Sequence, residues 1–137
     1  MATTQSEDPN ERVNHPRWYT SHASGIECID LIEHLPCNLA NAVKYVWRCG
    51  LKQSETPLRD LRSALWYTQR ELRRIDLYEL DQDDLPKTEI VWRALAKQVI
   101  ASDTESLLSA YLVDLLDDDL IGMVNVLNEA IDEQATR

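Results

Sequence analysis

The 137-residue chain has few residues that could cross-link it. Its three cysteines, Cys28, Cys37 and Cys49, are an odd number without the CxxC spacing of redox and zinc sites. This count argues against a secreted disulfide framework and for a reducing compartment, where each thiol would pack as a small buried hydrophobe. A domain of this length can bury a sufficient core without disulfides or a structural metal.

The sequence also lacks the signals of several large protein classes. No apolar run is long enough for a membrane span, and the polar, acidic N-terminus is unlike a signal peptide, so we expect a cytoplasmic protein without a membrane partner. There is no Walker-type glycine loop, no GxGxxG and no nucleophile elbow. These absences exclude a P-loop phosphotransferase.

The net charge of -10 is distributed unevenly along the chain. Residues 11–80 carry ten Lys and Arg against nine Asp and Glu, whereas residues 81–137 carry four against thirteen. Binding a nucleic acid duplex requires a basic surface, so an acidic protein of this kind is not expected to bind one. A small anionic ligand on the more basic half fits the distribution better.

Hydrophobic periodicity predicts an all-α fold, a single-domain bundle of five or six helices. Residues 1–14 are expected to form a flexible arm and residues 15–80 the helical core. The acidic residues 81–137 would pack on that core or form an oligomer interface. The longest helix is predicted to begin at Thr56, an N-cap before a proline, and to run to about Leu80 with a leucine seam along it. This seam predicts self-association.

Local signals predict the ends of the other helices. Ile29 is expected to face inward on the first helix, Asn38 to cap the second, and Gly50 to end the second in the left-handed conformation. Residues 102–103 would cap a later, leucine-rich helix. The acidic residues 117–119 would mark a turn or a new helix N-terminus.

The longest predicted helix carries a row of cations around one tryptophan. Arg59, Arg62, Trp66, Arg70 and Arg73 fall within an arc of about 80° on a helical wheel, with no acidic residue among them. Like charges four residues apart repel unless an anion relieves them. Guanidinium groups can bind phosphate while the indole stacks on a base. Two alternatives remain for these arginines. They could pair with acidic residues of the same helix, or the acidic C-terminal half of the chain could fold over them.

Two further groups of polar residues are candidate sites. Asn41, Lys44 and Arg48, with Lys52 beyond the glycine, share one side of the second helix and could bind phosphate and a base. Glu27 and Asp30 are three residues apart on the first helix, close enough to share a Mg²⁺ as catalytic and metal-binding residues. The alternative for these two carboxylates is a favourable interaction with the helix dipole.

Several sequence blocks occur in a characteristic order. They are VNHP at 13–16, GIECID at 25–30, NAVKYVWR at 41–48, and DL at 60–61 followed by WY at 66–67. Together they resemble a small bacteriophage family of unknown function, best known from the nucleotide kinase of certain coliphages. The resemblance implies a phage or prophage protein that binds nucleotides in the cytoplasm of the bacterial host.

The resemblance also implies site residues. Positions that match the family are His15, Tyr19, Glu27, Asn41, Lys44, Arg48, Lys52, Trp66 and Tyr67. Three positions depart from it: Ala40 stands where glycine is usual, Arg59 where an acidic residue is common, and Arg62 where lysine is common. Such departures would change the ligand, or remove catalysis while keeping binding.

Three functions are therefore open at this point. The first is a non-P-loop nucleoside monophosphate kinase that requires Mg²⁺ and binds its ligand through the matching positions and Arg62. The second is a non-catalytic protein that sequesters a nucleotide, such as a signal of host defence. The third is an inhibitor whose acidic C-terminal helices dock on a host protein.

Overall fold

The computed structural model describes residues 16–51, 56–80 and 89–136. Regular structure in these residues is entirely helical, which confirms the all-α prediction. The seven described helices are α1 (Arg17–Thr20), α2 (Cys28–Ile32), α3 (Cys37–Arg48), α4 (Pro57–Leu77), α5 (Glu89–Ser102), α6 (Leu107–Leu116) and α7 (Leu120–Ala135). None of them is both long and apolar enough to cross a bilayer. The predicted arm, His15 and Lys52 lie outside the described residues.

The longest helix, α4, organises the packing. Its most extensive contacts are with α3 and, after that, with α7. Thr56 caps it by accepting a hydrogen bond from the backbone N–H of Arg59, and Pro57 occupies the first turn, as predicted. The seam residues Leu61 and Thr68 are buried. The sequence therefore predicted the start and the inner face of this helix correctly.

The short helices near the N-terminus differ from the predictions. Ile29 is 51% exposed, because α2 begins only at Cys28 and its five residues turn Cys28 and Leu31 toward the core instead. The N-cap of α3 is Pro36, and Asn38 lies inside the helix. Gly50, with a φ of 79°, follows α3 in the predicted left-handed conformation.

Of two later helix starts, one differs from the prediction and the other confirms it. Ser102 ends α5 and does not cap the next helix; α6 is capped by Ser106, which accepts from the backbone N–H of Ser109 at 3.0 Å. Asp119 caps α7 by accepting from Gly122 at 2.9 Å, which confirms the acidic residues as a helix N-terminus.

The cysteines are all free thiols, as predicted, but only one is fully buried. Burial raises the pKa of Cys28 to about 12 and that of the half-buried Cys49 to about 11. Cys37 is exposed, because it occupies the first turn of α3 on the side away from the core. The expectation of three buried thiols is therefore wrong for Cys37.

A buried hydrogen bond joins α4 to α6. The hydroxyl oxygens of Thr68 and Tyr111 are 2.7 Å apart, and Thr68 donates in turn to the carbonyl of Ala64 at 2.8 Å. Tyr111 therefore acts as the donor to Thr68. Burial raises the pKa of Tyr111 far above its usual value, so this phenol stays neutral.

The hydrogen bond between Thr68 and Tyr111 can be tested by a double-mutant cycle. Thr68→Val leaves a buried phenol without its acceptor, so we expect a loss of about 1–3 kcal/mol in the free energy of unfolding, measured with urea. Tyr111→Phe should cost about 1 kcal/mol, and the double variant less than the sum of both. Tyr78→Phe, at a residue 70% exposed, is the control. Strictly additive losses would contradict the interaction.

The junction of α6 and α7 concentrates negative charge. Partial burial, and then the nearby carboxylates of Asp119 and Asp117, raise the pKa of Asp114. A carboxyl group with a raised folded-state pKa binds its proton more tightly in the folded protein than in the unfolded chain. Its contribution to stability is therefore lost as the pH rises through the interval between the ordinary and the raised pKa.

Asp114→Asn is expected to stabilise the protein at pH 7, because it removes a charge that the folded state disfavours. At a pH below both pKa values the wild-type carboxyl is already protonated, so the difference should shrink. Urea midpoints of both proteins between pH 3 and pH 8 measure this. Asp132→Asn, on the exposed side of α7, is the control. A stabilisation that does not change with pH would contradict the electrostatic cause.

Candidate functional site

The cations on α4 form one open surface, which we call the arginine–tryptophan face: Arg59, Arg62, Trp66, Arg70 and Arg73. All five residues are exposed, and the indole of Trp66 is 57% exposed. The face points away from the buried side of α4. Although α7 packs on α4, the described part of the acidic C-terminal half leaves the face uncovered. That alternative interpretation of the arginines is therefore wrong for these residues.

The acidic residues of α4 do not neutralise the face either, because Asp60 and Glu71 are paired elsewhere and the exposed Asp76 forms no ion pair within the described residues. Asp60 pairs with Arg48, and Glu71 is held by Arg74 at 2.8 and 3.0 Å and by the amide of Asn38 at 3.2 Å. Both carboxylates are fully buried. Within the described part of the chain, three arginines of the face form no ion pair: Arg62, Arg70 and Arg73. Their charges are left for a ligand or a partner.

A groove of about 430 Å³ lies along the first half of the face. It is lined by Thr56, Leu58, Arg59, Arg62, Ser63 and Trp66. All of these belong to the first three turns of α4 or its cap, and the helix dipole favours negative charge in the first turn, near Thr56 and Arg59. The groove thus combines two guanidinium groups, two hydroxyls and an indole.

A second cluster is centred on Arg48 at the end of α3. Its Nε donates to Oδ1 of Asp60 at 3.0 Å, its Nη1 donates to the hydroxyl of Tyr19 at 3.4 Å, and its guanidinium lies 4.6 Å from the ring centroid of Tyr45. Burial lowers the pKa of Arg48, but Tyr19 and Asp60 outweigh it and raise the pKa. Burial also raises the pKa of Tyr19.

Asp60 is held by one oxygen only. Oδ2 is buried and has no hydrogen-bond partner among the residues that the structure describes. A carboxylate buried in this way depends on Arg48 for its stabilisation. The pair therefore fixes the position of α3 against α4.

Stacked aromatic rings join the Arg48 cluster to the arginine–tryptophan face. Lys44 lies 5.3 Å from the ring of Tyr45, which stacks on Tyr67 at 5.9 Å with an interplanar angle of 12°. Tyr67 meets Trp66 edge to face at 5.0 Å. The structure thus brings five predicted site residues into one connected group: Tyr19, Lys44, Arg48, Trp66 and Tyr67.

Tyr45 and Asp60 are central to this group, but sequence reasoning did not single them out as site residues. Tyr45 has Arg48 three residues after it, a spacing that permits a cation–π contact on a helix. Asp60 directly precedes a leucine on the inner side of α4. This position in the sequence could have identified Asp60 as a buried acidic residue.

The remaining predicted residues have local roles. Asn41 donates to the carbonyl of Cys37 within α3 at 3.0 Å. Asp30 accepts from the backbone N–H of Glu27 at 3.1 Å, as in a capping box at the start of α2. α2 contacts α3 and α5 more than α4. No group of three potential metal ligands occurs among the described residues, and Mg²⁺ binding by Glu27 and Asp30 stays a prediction.

Comparison with known proteins finds a family model that matches part of the chain. A DUF3310 domain, of unknown function, spans residues 13–69. The DUF3310 match includes α1 to α3, the Arg48 cluster and the groove, and it ends within α4 before Arg70. No curated protein and no solved structure matches the chain significantly. A phage origin, nucleotide binding and self-association stay predictions.

The ion pair between Arg48 and Asp60 is expected to contribute strongly to stability. Asp60→Asn leaves the guanidinium without its buried countercharge, so the free energy of unfolding should fall by about 3–5 kcal/mol. Asp76→Asn, at an exposed position of the same helix, should change it by no more than about 0.5 kcal/mol. Urea unfolding measures both, and equal effects would contradict the assigned role.

Proposed function

We propose that this protein binds a nucleotide on the arginine–tryptophan face. The base stacks on the exposed side of Trp66, and the phosphates lie in the groove against Arg59 and Arg62. The observation that carries the proposal is that one groove contains both the exposed indole of Trp66 and the guanidinium of Arg62. Arg62 has no ion-pair partner among the described residues.

The charges of the face support an anionic ligand. Arg62 lies one turn before Trp66 and forms no ion pair within the described residues. A phosphate would neutralise its charge and accept bidentate hydrogen bonds from its guanidinium fork. The hydroxyl of Ser63 adds a donor, and the N-terminus of α4 adds a favourable dipole.

The size of the groove supports a small ligand. Ligand pockets typically have volumes of about 300–1,000 Å³, and the groove lies within this interval. It is an open groove on one helix, so the ligand would stay partly in solvent. We therefore expect moderate affinity, which rests on phosphate contacts and stacking.

The chemistry of the lining supports binding over turnover. Phosphoryl transfer requires a group that orients the nucleophile and ligands for Mg²⁺. The described lining of the groove contains no carboxylate and no imidazole. This lining therefore fits sequestration of a nucleotide better than nucleotide kinase activity. A phage protein of this kind would capture a defence signal in the bacterial host.

The Arg48 cluster has a supporting part in this proposal. Its ion pair fixes α3 on α4, and Tyr45 stacks on Tyr67, which contacts Trp66 edge to face. An indole that is ordered before binding loses less conformational entropy when the base stacks on it. Tyr19, Lys44 and Arg48 would thereby increase affinity without touching the base.

Calorimetric titration with nucleoside mono-, di- and triphosphates and cyclic dinucleotides, with Mg²⁺ or EDTA, tests the proposal. Arg62→Ala should cost about 1.5–3 kcal/mol of binding free energy and Trp66→Ala about 1–3 kcal/mol. The matched controls are Lys97→Ala, an exposed cation on α5, and Tyr78→Ala, an exposed aromatic residue; neither should change affinity.

Chromatography of each mixture after incubation separates binding from turnover. An unchanged nucleotide supports sequestration, whereas conversion that requires Mg²⁺ would support the kinase. If no nucleotide in the panel binds, or if Lys97→Ala weakens binding as much as Arg62→Ala, the proposal is wrong.

A further inference from the structure

The arginine–tryptophan face extends well beyond the groove. The groove ends at Trp66, whereas Arg70 and Arg73 continue the face toward the C-terminal end of α4. From Arg62 to Arg73 the helix rises about 16 Å. A mononucleotide stacked on Trp66 with its phosphates in the groove would leave Arg70 and Arg73 without an anion.

We propose that the face binds a short single-stranded oligonucleotide along α4, an inference that rests on the proposed function and names its ligand class. Stacked nucleotides advance about 3.4 Å each, so about five of them match the distance from Arg62 to Arg73. Arg62 and Arg70 are about 12 Å apart along the helix, so phosphates three to four nucleotides apart can meet them, and a following phosphate can meet Arg73, while one base stacks on Trp66. This combination of a cationic track and a stacking platform is typical of single-strand binding.

The composition of the face indicates binding without strong sequence preference. Asparagine and glutamine read adenine, and carboxylates read cytosine, but none of these side chains is among the five residues of the face. Arginine can read guanine, but in this arrangement the arginines bind the phosphates. An indole stacks on every base, because each base has a π-face. The recognised features are therefore the backbone charge and one unstacked base.

The surroundings of the face favour a single strand over a duplex. α7 packs against α4 and carries the exposed carboxylates of Glu129, Asp132 and Glu133. A single strand is narrow enough to follow the row of arginines. The second strand of a duplex would extend beyond this row over the surface of a chain whose net charge is -10, and like charges would repel it.

Fluorescence anisotropy with labelled oligothymidylates of two, four, six and twelve nucleotides, and with a twelve-base-pair duplex, tests the inference on the full chain. Affinity should rise steeply up to about five nucleotides and only slightly beyond. With three phosphates neutralised, raising the salt from 50 to 200 mM should weaken binding of the six-nucleotide strand by about 20-fold.

Variants separate the long ligand from the mononucleotide. Arg70→Gln and Arg73→Gln should each weaken the six-nucleotide strand several-fold and flatten its salt dependence, while leaving the affinity for thymidine monophosphate unchanged. Trp66→Ala should weaken both ligands. Lys97→Gln, which removes one exposed cation from α5, should affect neither. Urea midpoints like that of the wild type show that these exposed substitutions leave the fold intact.

The outcomes distinguish the two proposals. If mononucleotides bind as tightly as the six-nucleotide strand, or if Arg70→Gln and Arg73→Gln have no effect on that strand, this inference is wrong and nucleotide binding stands. If the duplex binds as tightly as the single strand, the inference is also wrong. If neither mononucleotides nor oligonucleotides bind, both proposals are wrong.

Discussion

The candidate site depends on the buried ion pair between Arg48 and Asp60. A carboxylate without solvent access is tolerated only beside a countercharge, so the two helices must keep one relative position. That position places the ring of Tyr45 under the guanidinium and against Tyr67. Tyr67 in turn contacts Trp66 edge to face. A charge pair inside the bundle thus determines how an aromatic side chain is presented outside it.

The same helix separates its charges by face. Asp60 and Glu71 are eleven residues apart, which is about three turns, so both point inward, where Arg48 and Arg74 bind them. Two of the three acids of α4 are therefore paired in the interior, and the third, the exposed Asp76, forms no ion pair within the described residues. Arg62, Arg70 and Arg73 thus keep unpaired positive charges although the chain as a whole carries -10. The net charge of the chain alone would not have predicted this positively charged surface.

The sequence predicted those features that depend on a single helix. The cap at Thr56, the buried seam and the outward row of arginines all follow from spacing along α4. It did not predict the burial of Asp60, because a carboxylate is ordinarily exposed to solvent. The residue that allows its burial, Arg48, lies on another helix and is not visible from the spacing along α4. The inward position predicted for Ile29 was wrong for a related reason: in a helix of only five residues, packing against the other helices decides which side chains face the core, and here these are Cys28 and Leu31.

The acidic half of the chain also has a consequence for any ligand of the face. Asp118 lies 3.4 Å from Arg93 and Asp119 caps α7, so these two carboxylates are held within their own part of the bundle. Because α7 packs on α4 without covering the face, its exposed carboxylates add negative charge to the protein surface outside the row of arginines. For the proposed ligand, this charge would oppose an anion that extends beyond the row. A narrow ligand that stays on the row would avoid this repulsion, so the width of the ligand as well as its charge would determine selectivity.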